Sequence, residues 1–237
     1  MLLLALWPAV APASCRQALA IGLDISGSVD THEYRLQTNG LADALLDPQV
    51  SAAFLAVPGA PVRLFVFEWA GKGTQRTLVN WTDITNETVL REIAATLTTN
   101  SRQPREVATA LGQAMLFGAS ELEKQSDCWR QTLDLSGDGQ SNLGPRPQDV
   151  QSRLGDSITI NAIVIGTDGG IAQGTIDGEI TLLTSYFRRR VIRGPNAFVE
   201  AALGFEDFRE AMTRKLLKEL QTLAIGSLRT PHIHPDQ

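Results

Sequence analysis

Segments built like strands alternate along this chain with segments of helical period. That alternation, more than any other feature, restricts the chain to parallel βαβ winding rather than a sandwich or a bundle. Residues 18–24 (ALAIGLD) are apolar at odd and even positions alike up to Asp24, as a strand covered on both sheet faces must be. After the loop DISGSV, Asp30 and Glu33 have the spacing of a capping box. Tyr34, Leu41 and Leu45 then recur at helical spacing until Asp47-Pro48 stops the helix. Residues 61–68 (PVRLFVFE) read as a second strand, and 75–81 as a third that returns antiparallel after Gly71-Lys72-Gly73 and forms an edge. Helical periods follow over 86–97 and 106–117, then strands over 131–136 and 157–165. Gly194-Pro195 marks a turn before a last strand. Phe205, Phe208, Met212, Leu216 and Leu220 give an amphipathic closing helix. The expected fold is α/β, a doubly wound, Rossmann-like and mostly parallel central sheet with one antiparallel edge strand and helices on both faces.

A chain of 237 residues suits one such domain and is too short for two with separate cores. A formal net charge of -5 offers no broad basic surface, so nucleic acid is not the expected partner. Arg188, Arg189, Arg190 and Arg193 read as a solvated helix end. Residues 1–14 form an apolar run too short to span a bilayer, with Ala11-Pro12-Ala13 where a signal peptidase could cut, although no positive n-region precedes the run. The expected organisation is therefore a signal peptide over 1–14, one domain over 15–225 and a disordered tail over 226–237. The product would be periplasmic or secreted and without a transmembrane segment. A lipid on Cys15 is the lesser alternative, because Pro12 stands where such a signal has leucine. Only Cys15 and Cys128 occur, each nearly the same distance before a strand, so two neighbouring parallel strands would bring them together. A disulfide across that loop would contribute about 4 to 5 kcal/mol on the chain-entropy estimate; the alternative is two buried thiols.

Three separated segments carry oxygen side chains to the carboxyl ends of strands, where open α/β sheets bind ligands. They are DISGS at 24–28, Thr109, and Asp138 in DLSGDG. Asp24, Ser26 and Ser28 alternate along an extended turn in which Gly27 lets the backbone bend, so their oxygens can converge on one point. With no nitrogen or sulfur among them, the set suits a hard divalent cation: Mg²⁺ first, then Mn²⁺ or Ca²⁺.

This pattern, DxSxS followed by a threonine and then an aspartate, resembles the metal-ion-dependent adhesion site of von Willebrand factor type A and integrin I domains. The likeness extends to exported proteobacterial proteins made of little besides this domain, through EYRLQ at 33–37, VFEWAG at 66–71, DLSGDG at 134–139 and GPNAFV at 194–199. The resemblance implies that Ser26, Ser28 and Thr109 supply direct or near-direct oxygens and that Asp24 and Asp138 act partly through water. It also implies that an open coordination position accepts an acidic side chain of a protein partner. Two carboxylates against a dication leave the site near neutral, so an incoming carboxylate is attracted. The expected function is metal-dependent binding, adhesion or assembly, with no catalytic residue.

Competing readings are a metal-dependent hydrolase and a phosphoryl-transfer enzyme with Asp24 as nucleophile. Both need an activated nucleophile or a base beside the ion, and the site loops hold no histidine, lysine or cysteine. His32 is expected on an exposed first helical turn, and His232 and His234 in a solvated tail. A nucleotide-binding domain would place a glycine-rich fingerprint after the first strand, and none is there. Ser26 and Ser28 as mere helix caps, or a metal-free structural domain, fit the five-residue set less well. Asp134 is expected to point away from the site or to satisfy buried donors, and Glu68-Trp69 to pack rather than form a rim.

Overall fold

The computed structural model describes residues 15–103, 107–166 and 173–226; the expected signal segment, the tail from 227 onward, His232 and His234 lie outside the described residues. Six strands alternate with seven helices: β1 (Gln17–Asp24), α1 (Thr31–Leu46), α2 (Pro48–Phe54), β2 (Val62–Trp69), β3 (Arg76–Ile84), α3 (Glu87–Thr99), α4 (Leu111–Glu123), β4 (Gln131–Gly137), α5 (Pro147–Val150), β5 (Ile158–Ile165), α6 (Gln173–Arg190), β6 (Val199–Ala202) and α7 (Phe208–Gly226), counted among the described residues. The sheet order is β3-β2-β1-β4-β5-β6. Only β3 runs antiparallel to its neighbour, so the expected mostly parallel sheet with an antiparallel edge is the fold observed.

Within β1, large and small residues alternate, and this decides what each face can hold. Leu19, Ile21 and Leu23 enter the core shared with α1, α3 and α7, where Tyr34, Leu41, Leu45, Phe208 and Leu216 are buried. Ala18 and Ala20 face the other core, which packs Phe65, Phe67, Met115 and Phe187. A Cβ on Gly22 would come within 2.6 Å of the Phe67 ring, so the small face is what admits the aromatic layer. The capping box at Asp30 forms as read: Glu33 N–H donates to Asp30 and Asp30 N–H donates to Glu33.

The cysteines close a disulfide spanning 113 residues, so neither is a free thiol. Ala18 lies opposite Gln131 where β1 and β4 pair in parallel, and each cysteine stands three residues before its strand partner. Equal offsets into two adjacent parallel strands place the sulfurs side by side.

Three local expectations need correcting. The helix read over 106–117 starts at Leu111, because the segment before it is diverted into long-range hydrogen bonds: Ala110 N–H to the Ala70 carbonyl and Thr109 N–H to Asn142. Helix α6 goes unread apart from its arginine end, since Ile180, Leu183 and Phe187 are its only large apolar side chains buried among the described ones. Arg188 to Arg190 are solvated as expected, but Arg193 is not: it donates to the Leu154 and Gly155 carbonyls and pairs with Asp156. The turn at Gly194 and Asn196, both with positive φ, leads into β6 as read.

Candidate metal centre

Asp24 is the last residue of β1 and Asp138 the first beyond β4, so adjacent parallel strands deliver two carboxylates to one edge of the sheet. Asp24 is fully buried. Its backbone is fixed by a small polar network: its N–H donates to Ser136 Oγ, Gln37 Nε2 donates to its carbonyl, and Ser136 Oγ donates to Gln37 Oε1. Asp24 Oδ1 accepts from Ser26 N–H at 2.8 Å, and the hydroxyls of Ser26 and Ser28 lie 3.4 Å apart.

Asp24 Oδ2 and both oxygens of Asp138 are buried without a hydrogen-bond partner. Such orphans are rare in native proteins unless a ligand or ion completes them. Burial, reinforced by the neighbouring Asp138 charge, pushes the Asp24 carboxyl up to about 8; burial also raises Asp138. Two carboxyls that resist ionising side by side are what a cation relieves. Among the described residues no group of three or more His, Cys, Asp or Glu side chains gathers to hold a metal, so a centre here depends on hydroxyl oxygens.

Thr109 lies on the loop between α3 and α4, nearly buried, and two neighbours tie that loop in place. Asn142, after β4, accepts from Thr109 N–H and donates its own N–H to the Thr109 carbonyl, which also accepts from the Ser141 hydroxyl. On the other side, Gly27 N–H donates to the Val107 carbonyl at 2.9 Å. The three oxygen-bearing loops are thus laced to one another. Gly27 is required by close approach rather than by an unusual φ: a Cβ there would lie 2.1 Å from Val107 Cγ1.

Sequence reasoning missed the supports. Arg102 donates to the Ile25 and Ser26 carbonyls, holding the DxSxS loop from outside, and Asn142 links two loops. Their only sequence signal was proximity to the site segments. Glu68 and Trp69 are fully buried, as the packing reading required; Glu68 accepts from Tyr34 Oη and forms a bidentate pair with Arg76. Asp134 faces away from the site, paired with buried Lys215 of α7. His32 is exposed on the first turn of α1.

A protein-family profile described as "Protein of unknown function (DUF1194)" matches residues 14–224. The chain belongs to this family. No curated protein matches it. Among solved structures, this DUF1194 member is similar to proximal thread matrix protein 1 from the mussel byssus, in a form with a zinc occupied MIDAS motif, at 15% identity and a TM-score of 0.56 over 89% of this chain and 48% of that one. It is similar also to a von Willebrand factor type A protein from Catenulispora acidiphila (16%, 0.52, 87% and 43%) and to the PilB minor pilin from Streptococcus sanguinis (12%, 0.60, 93% and 64%). At such identities the likeness shows the fold: the DUF1194 chain has the von Willebrand factor type A fold. It spans about half the length of the mussel protein.

Proposed function

We propose that this chain is a metal-dependent binding domain, in which Asp24, Ser26, Ser28, Thr109 and Asp138 hold one divalent cation and the cation receives a carboxylate from a protein partner. The observation that carries the reading is the pair of buried carboxylates with orphaned oxygens, flanked by serine hydroxyls at the carboxyl ends of β1 and β4. Oxygen-only donors favour Mg²⁺, with Mn²⁺ or Ca²⁺ as alternatives, and the zinc occupied MIDAS motif of the mussel protein adds Zn²⁺ to the ions to test. When bound, the cation supplies a Lewis-acidic position for an anionic oxygen. The chain's own part is to keep its donors converged, through Gln37, Ser136, Asn142 and Arg102, and to keep the two carboxylates dry.

Binding is favoured over hydrolysis because the three site loops carry no histidine, lysine or cysteine to activate a nucleophile. The matrix-protein and minor-pilin structures of the same fold support an adhesion or assembly role, and together with the disulfide they support a periplasmic or secreted location. Among the described residues no helix is long and apolar enough to cross a membrane.

Thermal unfolding in chelator and in added Mg²⁺, Mn²⁺, Ca²⁺ or Zn²⁺ tests the centre. An ion at about a hundred times its Kd stabilises the native state by about 2.7 kcal/mol, and that gain should vanish in Asp24→Ala. No midpoint rise with any ion would remove the metal from the mechanism.

A further inference from the structure

Beside Asp138 a cleft of about 250 Å³ opens between the loop after β4, the end of β5 and α6. Ile165, Ile180 and Leu183 line it and are nearly buried, whereas Leu182 lines it at 68% exposure and so forms its lip. Four of the six large apolar side chains exposed among the described residues, Val107, Leu143, Leu182 and Leu203, stand around this same end of the sheet. Val107 abuts Gly27, Leu143 N–H donates to the Thr109 carbonyl, and the Leu203 carbonyl lies against Gly166 in the cleft wall. Exposed apolar side chains gathered around one polar centre mark a surface built for contact.

Resting on the metal-centre reading above, we infer that this cleft is a specificity pocket: the partner is a protein segment in which an aliphatic residue sits at one fixed spacing from the acidic residue, and seats in the cleft while the carboxylate meets the cation. Size and charge choose that occupant. The volume falls below the roughly 300–1,000 Å³ of small-molecule sites and suits a single side chain. A second acid there would meet Glu179 and Asp138, which both line the cleft, and a cationic side chain would give up its hydration against Ile165, Ile180 and Leu183. An uncharged aliphatic group meets neither penalty and covers Ile165, Ile180 and Leu183.

The test is selection from a displayed random heptapeptide library on the immobilised full chain, loaded with whichever ion gives the largest thermal shift and eluted with chelator. Eluted peptides should be enriched in Asp or Glu, and in Leu, Ile, Val or Met at one constant offset by about ten-fold over the library, the factor that burying part of one aliphatic side chain supplies. Leu182→Ser alters an exposed residue and should return the aliphatic enrichment to background while the acidic residue persists. Acid enrichment without a fixed aliphatic position, or aliphatic enrichment unchanged in Leu182→Ser, overturns the pocket and leaves the metal centre standing. A thermal shift with no peptide enrichment also overturns the pocket, and absence of any thermal shift overturns both.

Discussion

At the scale of single residues, Asp24 makes the centre sensitive to pH. Its unfolded carboxyl releases a proton near 3.8, the folded one at about 8, because burial and Asp138 oppose its charge. Between those values the native state binds more protons than the unfolded chain, so its stability falls as pH rises across the window. In chelator the unfolding midpoint should therefore drop between about pH 4 and pH 8, and Asp24→Asn should flatten that fall. In the proposed centre a cation takes the place of the proton, so metal-induced stabilisation should grow over the same range; a midpoint that rises with pH in chelator would contradict this account. Gly27 gives a steric test. Gly27→Ala drives a methyl into Val107, at a cost of about 1 to 3 kcal/mol, and displaces the loop that carries Thr109. Metal affinity measured by calorimetric titration should fall about ten-fold or more, and Gly27→Ala with Val107→Ala should recover part of the loss, a coupling that a double-mutant cycle reads directly.

Helix α7 brings an ammonium into the sheet at the scale of whole elements. Lys215 is fully buried against Asp134 of β4 and lies 3.1 Å from Glu219, which accepts from Asn161 of β5; Asn161 in turn accepts from Phe198 N–H. Burial and the Glu219 charge hold the Asp134 carboxyl well above its usual range, while burial of Lys215 is outweighed by its two acidic neighbours and its pKa is raised. Removing the cation leaves two dry carboxyls facing each other. Lys215→Met should cost about 3 kcal/mol in urea unfolding, and adding Asp134→Leu and Glu219→Leu should restore much of it. A loss below about 1 kcal/mol would mean that protonation alone settles the pair. The sequence showed this helix through the spacing of Phe208, Met212, Leu216 and Leu220, yet the same spacing gave no sign that Lys215 is turned inward. For α4 the error ran the other way: the apolar period was visible, but the pull of Ala70 and Asn142 on the segment before it was not. Helix α6 carries too few apolar residues to announce itself and is recruited by what the sheet presents, as where Phe187 packs against Gly137.

For the molecule as a whole, the Cys15–Cys128 bond fastens the entry of β1 to the entry of β4, the strands that deliver Asp24 and Asp138. A closure of 113 residues restricts the unfolded chain by about 5 kcal/mol on the chain-entropy model, and typical measured losses are about 2 to 5 kcal/mol. Cys15→Ala with Cys128→Ala should lower the unfolding free energy read from urea titration by an amount in that range without altering the preferred ion, since the bond lies at the end of the strands opposite the proposed centre. A change in metal selectivity would show that the bond also sets the geometry of the loops.

What the sequence determined by itself is whatever depends on neighbours along the chain. The mostly apolar β1 and β5, the turn before the antiparallel β3, the capping box at Asp30 and the amphipathic α7 are local patterns, and burial follows from them. The side chains proposed as donors, Asp24, Ser26, Ser28, Thr109 and Asp138, were likewise picked out from the sequence alone, because donor chemistry belongs to the side chain. Only the tertiary structure decided that Asp24 and Asp138 sit side by side with orphaned oxygens, that Val107 closes on Gly27, that Arg102 and Asn142 brace the loops, and that Lys215 is buried. These depend on residues tens of positions apart. Their proximity is set by sheet order and strand register, which no local period encodes.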